Sequence, residues 1–387
     1  MVKVTIVGWY GTETLGDRAI LAGLFRLMVK AWGTDIEIAL GSLIPMFTNR
    51  TVYEDIDFYK QLANAPRLTI KTFDSLKPGE LRKSIKHSDV LMIGGGPLMD
   101  IEPMYMLEYA MLYASRLKRK TVVAGCGWGP LKIPEYIRSA KNIVDNADIA
   151  IFRDEKSLHS YLTCGGKNSK AISTIDPAFI AAYSFHNRNT KLPSQDLIAV
   201  NFRDVTLDQY DGDATKYEKI FTDTVQKLLN TFPDRVLLVP MHSFSIGGDD
   251  RYLLNHIKRL VDSERVIVAN DPMSLECLMK TYYTAKACVG MRFHSVVLQT
   301  ALNGNNYILD YTDPEHGKTI SMLHTLGIEG AYTNRYYNLI RGNGCVKIDA
   351  TQMPIPFDWH RIKRYEEEYV TQFKQYLVRT NDEFYIQ

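Results

Sequence analysis

The strongest constraint on the fold of this chain is an alternation of short apolar strands and amphipathic helices that runs through it twice. Strand-like runs such as Lys3–Gly8 and Asp89–Ile93 end in glycine-rich turns and lead into segments with apolar residues at helical spacing. The alternation restarts at Leu197–Arg203, after a polar linker at Ser184–Ser194. Because this pattern favours parallel sheets with helices on both faces, we predict an α/β fold with two Rossmann-like domains facing a cleft.

The length of 387 residues also favours two domains, since single hydrophobic cores stop growing before that size. We predict an N-terminal Rossmann-like domain at residues 1–183 and a C-terminal Rossmann-like domain at residues 195–357. A helix at residues 358–387 is expected to pack across the domain junction. The segment between the second and third predicted strands, which contains Pro45, Asn49 and Pro66, is predicted to be rich in loops.

Charge and cysteine usage exclude several classes of protein. A net charge of +2 gives no general attraction to nucleic acid or to an anionic membrane, so an anionic ligand requires a local site. The five cysteines are scattered, without a C-x-x-C pair, which argues against disulfides and a zinc site and for a reducing compartment. The start of the chain does not match a signal peptide, and no apolar run approaches the ~18 residues of a membrane span. We expect a cytoplasmic protein without nucleic-acid partners; peripheral membrane association stays open.

The stretch Gly290–Gly304 is the best candidate for a functional corner. It follows a short apolar strand and opens a helix, and it places Arg292 and His294 two residues apart, with Ser295 as a plausible N-cap. Backbone N–H groups and the helix dipole favour an anion at such a corner. Two alternatives remain open here: His294 as a structural histidine and Arg292 as an interdomain salt-bridge partner.

Three glycine-rich turns in the first half each follow a predicted strand. They are Gly8–Asp17, Gly94-Gly95-Gly96 and Gly125–Pro130. Their spacing matches neither G-x-G-x-x-G nor a P-loop. Glycine permits close approach of a ligand or close packing of a helix, and Asp17 is either an N-cap or a substrate contact. Since all three turns follow parallel strands, we expect them to converge at one edge of a sheet.

Other polar side chains also end predicted strands or begin helices. Arg153 follows a strand and either pairs with a nearby carboxylate or faces the cleft. Arg203 and His242 end strands of the second half, and Lys318 lies near the start of a later helix. A lysine at such a position is usually only solvated, so Lys318 gains a role only from wider context.

Taken in order, these landmarks resemble the polysaccharide pyruvyl transferase family, whose members have a two-domain architecture similar to GT-B glycosyltransferases. The landmarks are Leu15-Gly16-Asp17, Gly94-Gly95-Gly96, Gly127-Trp128-Gly129-Pro130, Arg153-Asp154-Glu155, Asp176-Pro177, Pro240-Met241-His242, Asp249-Asp250, Arg292-Phe293-His294-Ser295, and Lys318 ahead of Leu326-Gly327. The chain departs from the family pattern at Thr14, Arg18 and Phe293.

The resemblance implies transfer of pyruvyl from phosphoenolpyruvate to two hydroxyls of a sugar, giving a pyruvate ketal and phosphate. The acceptor would be a nucleotide- or lipid-linked precursor of an exopolysaccharide or a cell-wall glycan. Phosphoenolpyruvate would serve as donor substrate, with no cofactor and no metal. The resemblance also implies that the N-terminal domain lies on the acceptor side and the C-terminal domain on the donor side. The implied roles are catalysis by His294; donor binding by Arg153, Arg292, Lys318 and Ser295; second-rank contacts by Arg203 and His242; and acceptor binding by Asp17, Gly94, Gly95 and Gly96.

Two alternatives compete with this interpretation. One is a GT-B-type nucleotide-sugar glycosyltransferase that would bind a diphosphate near Arg292 and Lys318. The other is a non-catalytic sugar-phosphate binding protein.

Overall fold

Two separate parallel sheets organise the chain, which is described here from a computed structural model. The described residues are 1–189, 192–205, 214–244, 248–342 and 346–382. Unit 1 comprises Met1–Thr12, Asp17–Ser184 and the chain from Trp359 onward, and unit 2 comprises Glu13–Gly16 and Phe185–Asp358.

Unit 1 is built on a seven-stranded sheet in the order β3-β2-β1-β4-β5-β6-β7. Its strands are β1 (Val2–Val7), β2 (Ile36–Ser42), β3 (Thr69–Asp74), β4 (Val90–Gly94), β5 (Lys120–Cys126), β6 (Ile149–Phe152) and β7 (Ile172–Ser173). The helices between and after them are α1 (Leu15–Trp32), α2 (Pro45–Ala63), α3 (Pro78–Lys86), α4 (Met104–Arg116), α5 (Pro134–Asp145), α6 (Glu155–Thr163) and α7 (Pro177–Arg188). All neighbouring strands pair in parallel, as the alternation predicts.

Unit 2 has a six-stranded parallel sheet in the order β10-β9-β8-β11-β12-β13. Its strands are β8 (Gln195–Val200), β9 (Arg235–Leu238), β10 (Val266–Val268), β11 (Ala285–Gly290), β12 (Asn306–Asp310) and β13 (Tyr336–Asn338). Its helices are α8 (Ala214–Thr231), α9 (Asp250–Val261), α10 (Leu275–Thr284), α11 (Phe293–Leu302) and α12 (Lys318–Leu326). In each sheet the order reverses beside the first strand, between β1 and β4 and between β8 and β11, which is the arrangement of a Rossmann fold.

The last helix, α13 (Trp359–Asp382), groups with unit 1. The Glu366 carboxylate is buried and accepts hydrogen bonds from Arg26 Nε at 2.5 Å and Lys30 Nζ at 2.6 Å, both on α1. Phe373 stacks on Trp32 with ring centroids 5.3 Å apart. These contacts fix α13 on unit 1, and its predicted packing across the domain junction stays a prediction.

Two local expectations were wrong. The segment around Pro45 and Asn49 is not a loop: it forms α2, because proline is tolerated at the first helical position and Phe58, Tyr59 and Leu62 bury an apolar face. The predicted linker Ser184–Ser194 begins inside α7, which continues to Arg188, and its residues 190 and 191 lie outside the described part of the chain.

Candidate functional site

The candidate site of unit 2 lies at the carboxyl edge of its sheet, where the strand order reverses between β8 and β11. Arg203 follows β8 and Arg292 follows β11, and the two strands are hydrogen-bonded neighbours. Asn201 ties the two strand ends together, because its side-chain oxygen accepts the Arg292 backbone N–H at 2.9 Å. Open α/β sheets place ligands in this crevice.

Arg292 is the N-cap residue of α11, and its guanidinium is held by Asp250 at the start of α9. Nη2 donates to Oδ1 at 2.6 Å and Nε donates to Oδ2 at 2.8 Å, while Nη1 is not part of this pair. Asp250 Oδ2 also accepts the backbone N–H groups of Met241 at 3.0 Å and His242 at 3.1 Å. The Arg292 salt bridge therefore lies within unit 2, and it presents the guanidinium in a fixed orientation.

His294 is the second residue of α11 and is partly buried. Its ring meets the Phe293 ring edge-on, with centroids 5.2 Å apart. The short segment Glu13–Gly16, which groups with unit 2, packs against it: a methyl group on Gly16 would lie only 2.3 Å from His294 Nδ1. Gly16 is therefore required for the imidazole to keep its position at the start of α11.

Ser295 does not cap this helix, which corrects the sequence expectation. The N-cap is Arg292, and Ser295 lies in the first turn with its side chain fully buried. Its hydroxyl is hydrogen-bonded to the hydroxyl of Tyr282 at 2.8 Å and accepts the Gln299 amide at 2.9 Å. Only the backbone N–H of Ser295 remains consistent with the predicted donor contact, because the side chain is used to anchor α11 in the core.

A cluster of cations surrounds Tyr311, which directly follows β12. Arg203 Nη1 donates to the Tyr311 hydroxyl at 3.1 Å, and its guanidinium lies 4.6 Å from the ring centroid. Lys318, the first residue of α12, places its ammonium 5.3 Å from the same ring and 5.7 Å from the Phe293 ring. The structure thus brings Arg203 and Lys318 together, although they lie more than a hundred positions apart in the sequence.

These positive charges change the pKa of the Tyr311 hydroxyl. Burial alone would raise its pKa, but the positive charges of Lys318, Arg203 and Arg292 and a hydrogen bond with Lys318 lower the pKa to about 7. A tyrosine that titrates near neutrality marks a strongly electropositive site. Sequence reasoning missed Tyr311, although its position at a strand end, like those of Arg203 and Arg292, was a signal that could have identified it.

His242 lies beside this cluster through its backbone. It forms an isolated antiparallel bridge with Thr14, and its N–H donates to Asp250, the partner of Arg292. The Leu15 N–H donates to the neighbouring Met241 carbonyl at 3.0 Å. Of the two predicted second-rank residues, Arg203 therefore contacts Tyr311, and His242 contacts Asp250 of the Asp250–Arg292 pair.

In unit 1, the glycine turns follow the adjacent strands β1, β4 and β5, so the predicted convergence at one sheet edge is confirmed. A methyl group on Gly8 would lie 2.0 Å from the Gly94 carbonyl oxygen, and one on Gly94 would lie 2.7 Å from Leu24 of α1. Gly94 thus serves close helix packing. Gly95 and Gly96 have positive φ angles of 96° and 81°, a left-handed backbone that favours glycine.

Asp17 lies close to this turn, 3.6 Å from the position of a methyl group on Gly96. Its interpretation as an N-cap is wrong, because α1 already begins at Leu15 and the Thr14 hydroxyl accepts the Gly16 N–H at 3.2 Å. The predicted acceptor residues Asp17, Gly95 and Gly96 are therefore neighbours in unit 1.

Arg153 also belongs to unit 1, and its guanidinium is buried between carboxylates. Nη1 lies 3.5 Å from Asp176 Oδ2, and Nε lies 3.5 Å from Asp154 Oδ2. A methyl group on Gly127 would lie 2.8 Å from the guanidinium, so the third glycine turn leaves room for the arginine. Of the two alternatives, the structure shows the carboxylate pairs, and the donor contact of Arg153 stays a prediction.

Within the described ranges, no group of three or more His, Cys, Asp or Glu side chains is arranged to hold a metal ion. Among the helices of the described residues, none combines the length and apolar character needed to cross a bilayer.

Comparison with solved structures shows the fold. UDP-GlcNAc 2-epimerase from Methanocaldococcus jannaschii, solved with UDP-GlcNAc and UDP, is 13% identical, with a TM-score of 0.53 and 99% of each chain covered. UDP-N-acetylglucosamine 2-epimerase from Rickettsia bellii is 10% identical, with a TM-score of 0.54 over 98% of this chain and 95% of the other. Anabaena HepE, solved with UDP and glucose, is 10% identical, with a TM-score of 0.51 over 99% and 100%. At such low identity the likeness concerns the fold alone, and it confirms the predicted two-domain, GT-B-like α/β architecture.

Comparison of sequences addresses the family. No curated protein matches the chain significantly. The model of the family described as polysaccharide pyruvyl transferase matches residues 15–313, a span that includes Asp17, Arg153, Arg292 and His294 and ends just before Lys318. This match covers well over half of the chain and agrees with the order of the sequence landmarks, so the chain belongs to the polysaccharide pyruvyl transferase family.

Proposed function

We propose that this protein transfers pyruvyl from phosphoenolpyruvate to two hydroxyls of a sugar in an exopolysaccharide or cell-wall glycan precursor. The products are a pyruvate ketal and inorganic phosphate. Membership of the family supports a role in polysaccharide pyruvylation. The observation that carries the donor assignment is the presence of three cations, Arg203, Arg292 and Lys318, after the three adjacent strands β8, β11 and β12.

The proposed donor matches this charge distribution. Phosphoenolpyruvate carries a phosphate and a carboxylate close together, and arginine side chains bind either group through two parallel N–H donors. The first turn of α11 adds backbone N–H groups and the positive end of the helix dipole. Asp250 orients Arg292 without using Nη1, so that nitrogen is the one we assign to the donor.

The reaction balances with one residue that moves protons. One sugar hydroxyl attacks C2 of the donor while C3 gains a proton, which converts the enol carbon to a methyl group. The C2–O bond to phosphate then breaks, and the second hydroxyl forms the second C2–O bond. Of the two hydroxyl protons, one replaces the proton given to C3 and the other leaves with phosphate. We assign these transfers to His294, because an imidazole suits both directions of proton transfer near neutrality.

The predicted site residues of unit 1 are assigned to the acceptor or to the donor. Asp17, Gly95 and Gly96 are assigned to the acceptor, since they lie together at the sheet edge of unit 1. Gly94 supports this turn by packing on Leu24. Arg153 is assigned to the donor on the strength of the family resemblance.

The decisive experiment compares donors. Purified protein would be incubated with carbon-13-labelled phosphoenolpyruvate and a panel of nucleotide- and lipid-linked sugars. We expect phosphate release together with a new ketal carbon signal in the sugar product, and unchanged activity after treatment with a chelator. Turnover of nucleotide sugars alone, with release of the nucleotide, would instead establish the glycosyltransferase alternative. Binding of sugar phosphates without turnover would favour the non-catalytic alternative.

A further inference from the structure

Tyr311 lies at the centre of the cations that we assign to the donor, yet nothing in the proposed reaction uses it. The residue is buried, with only 5% of its surface exposed, directly after β12. Arg203 donates a hydrogen bond to its hydroxyl, and both Arg203 and Lys318 lie against its ring. Any anion held by these two cations would therefore lie close to the Tyr311 hydroxyl.

The charged groups around Tyr311 come from three neighbouring strand ends. Arg203 follows β8, Arg292 follows β11 and Lys318 opens α12 after β12, and all three act on the hydroxyl. On its own strand, the adjacent Asp310 carboxylate is directed elsewhere: it accepts hydrogen bonds from Thr312 and from the Tyr336 hydroxyl. Asp250 faces Arg292. Positive charge therefore dominates at the Tyr311 hydroxyl, where it stabilises the phenolate.

We propose that Tyr311 is a positioning residue that exchanges charge with the donor: above neutral pH it is a phenolate in the empty site, and it becomes a phenol when an anionic donor binds Arg203 and Lys318. The proton comes from solvent and forms the O–H bond, and no electrons are transferred. The phenol then donates a hydrogen bond to the bound anion. When phosphate leaves, the hydroxyl loses this proton to solvent and again neutralises the cations.

This exchange makes donor affinity depend on pH in a specific direction. The pKa of Tyr311 is lowered to about 7, chiefly because the cations outweigh burial. Below that pH the phenol is already present and binding needs no proton. Above it, each bound donor must take up a proton, so KM should rise about tenfold per pH unit.

The inference rests on the proposed donor site, and its test uses a probe that does not depend on turnover. Sulfate is a suitable probe, because it does not titrate near neutrality. Calorimetry at about pH 8 in buffers of different ionisation enthalpy should show uptake of close to one proton per sulfate bound by the wild type. Tyr311→Phe keeps the ring against Arg203 and Lys318 and should bind sulfate without proton uptake.

Two further measurements complete the test. Difference absorbance should show one tyrosinate forming near neutral pH in the wild type but not in Tyr311→Phe, and Lys318→Met should shift this titration to higher pH. Tyr307→Phe is the matched control. Tyr307 lies on β12, just before Tyr311, and its hydroxyl donates a hydrogen bond to the Asp349 backbone carbonyl. Burial raises the pKa of Tyr307, so the titration near neutral pH should persist in this variant.

The outcomes separate the two proposals. Equal proton uptake by the wild type and Tyr311→Phe would overturn the role of Tyr311, even if phosphoenolpyruvate is a substrate. Proton uptake that is lost only in Tyr311→Phe would support the role, even if phosphoenolpyruvate is not turned over and the proposed reaction is wrong.

Discussion

Asp250 holds the Arg292 guanidinium through Nε and Nη2, with the shortest N–O distance at 2.6 Å. The two side chains begin different helices, α9 and α11, and Asp250 is only 1% exposed. The same carboxylate accepts two backbone N–H groups of the loop after β9. This pair therefore couples the position of a proposed donor-binding cation to the loop that carries His242.

Replacing Asp250 by asparagine should disturb this coupling. Asp250→Asn keeps one oxygen for the backbone N–H groups but removes the charge that orients Arg292, and disrupting a buried ion pair costs about 3–5 kcal/mol when one partner is lost. We expect a lower urea midpoint and a raised KM for phosphoenolpyruvate. The adjacent Asp249→Asn is the control, since asparagine is also a good N-cap. Equal effects of the two variants would show that the Arg292 pair has no special importance.

Loss of Arg292 itself should weaken donor binding. A hydrogen bond to a charged group contributes about 1.5–3 kcal/mol, so Arg292→Ala should raise KM for phosphoenolpyruvate roughly ten- to hundredfold. Arg251→Ala removes a guanidinium that pairs with Asp249 in the same unit and should leave KM near the wild-type value. Steady-state kinetics at varied donor concentration measures KM for phosphoenolpyruvate in both variants. An unchanged KM in Arg292→Ala would remove this residue from the donor site.

The role of His294 predicts an effect on turnover. His294→Ala should lower kcat by about 10²–10⁴-fold, the usual contribution of a proton-transferring side chain. His256→Ala is the control, because His256 pairs with Glu218 between two helices of unit 2. A His294→Ala protein with normal kcat would show that His294 has a structural role only.

Gly16 offers a test of His294 that leaves the imidazole in the chain. Gly16→Ala introduces a methyl group 2.3 Å from Nδ1, so the ring must move. A displacement of this size can cost about 10²-fold in rate, whereas the alanine itself favours the helix. We expect reduced kcat without loss of thermal stability. Gly330→Ala, where a methyl group meets open space, is the control; full activity in Gly16→Ala would argue against a precisely placed imidazole.

The low pKa of Tyr311 also predicts a pH dependence of stability. Unfolding returns the hydroxyl to a pKa near 10, so between about pH 7 and 10 the unfolded state binds more protons than the folded state. The Tyr311 contribution should therefore increase the free energy of unfolding with rising pH, by at most about 1.4 kcal/mol per unit. Urea unfolding at several pH values should show this rise in the wild type. Its persistence in Tyr311→Phe would assign the rise to another group.

Local sequence patterns were sufficient for most of the fold because the strands are short and the central ones, such as β4 and β6, are apolar and buried on both faces. The exceptions have physical causes. Proline suggested a loop at Pro45, where it in fact begins α2 at a position that needs no N–H donor. The edge strand β13 has only three residues, Tyr336–Asn338, too few for a periodic pattern.

Among the residues of the candidate site, too, some could be placed from the local sequence and others could not. The positions of Arg292, His294 and Lys318 after strands and at helix starts could be predicted from the sequence, because local pattern marks where strands end and helices begin. Their roles stay predictions. Ser295 was wrongly predicted as the N-cap, because α11 begins earlier, at Phe293, and the Ser295 hydroxyl is buried in the core. Tyr311 was missed because its strand-end position does not reveal the charges around it: Arg203, which donates to its hydroxyl, lies 108 positions away along the chain.

The sequence by itself determined two Rossmann-like units, the family and the strand ends that carry cations, since these depend on periodicity and on the order of motifs. Only the tertiary structure decided that Asp250 orients Arg292 and that Arg203 and Lys318 meet at Tyr311. The reason is that charge interactions depend on distance in space and on burial. Parallel strands bring residues more than a hundred positions apart to one edge, where their charges add.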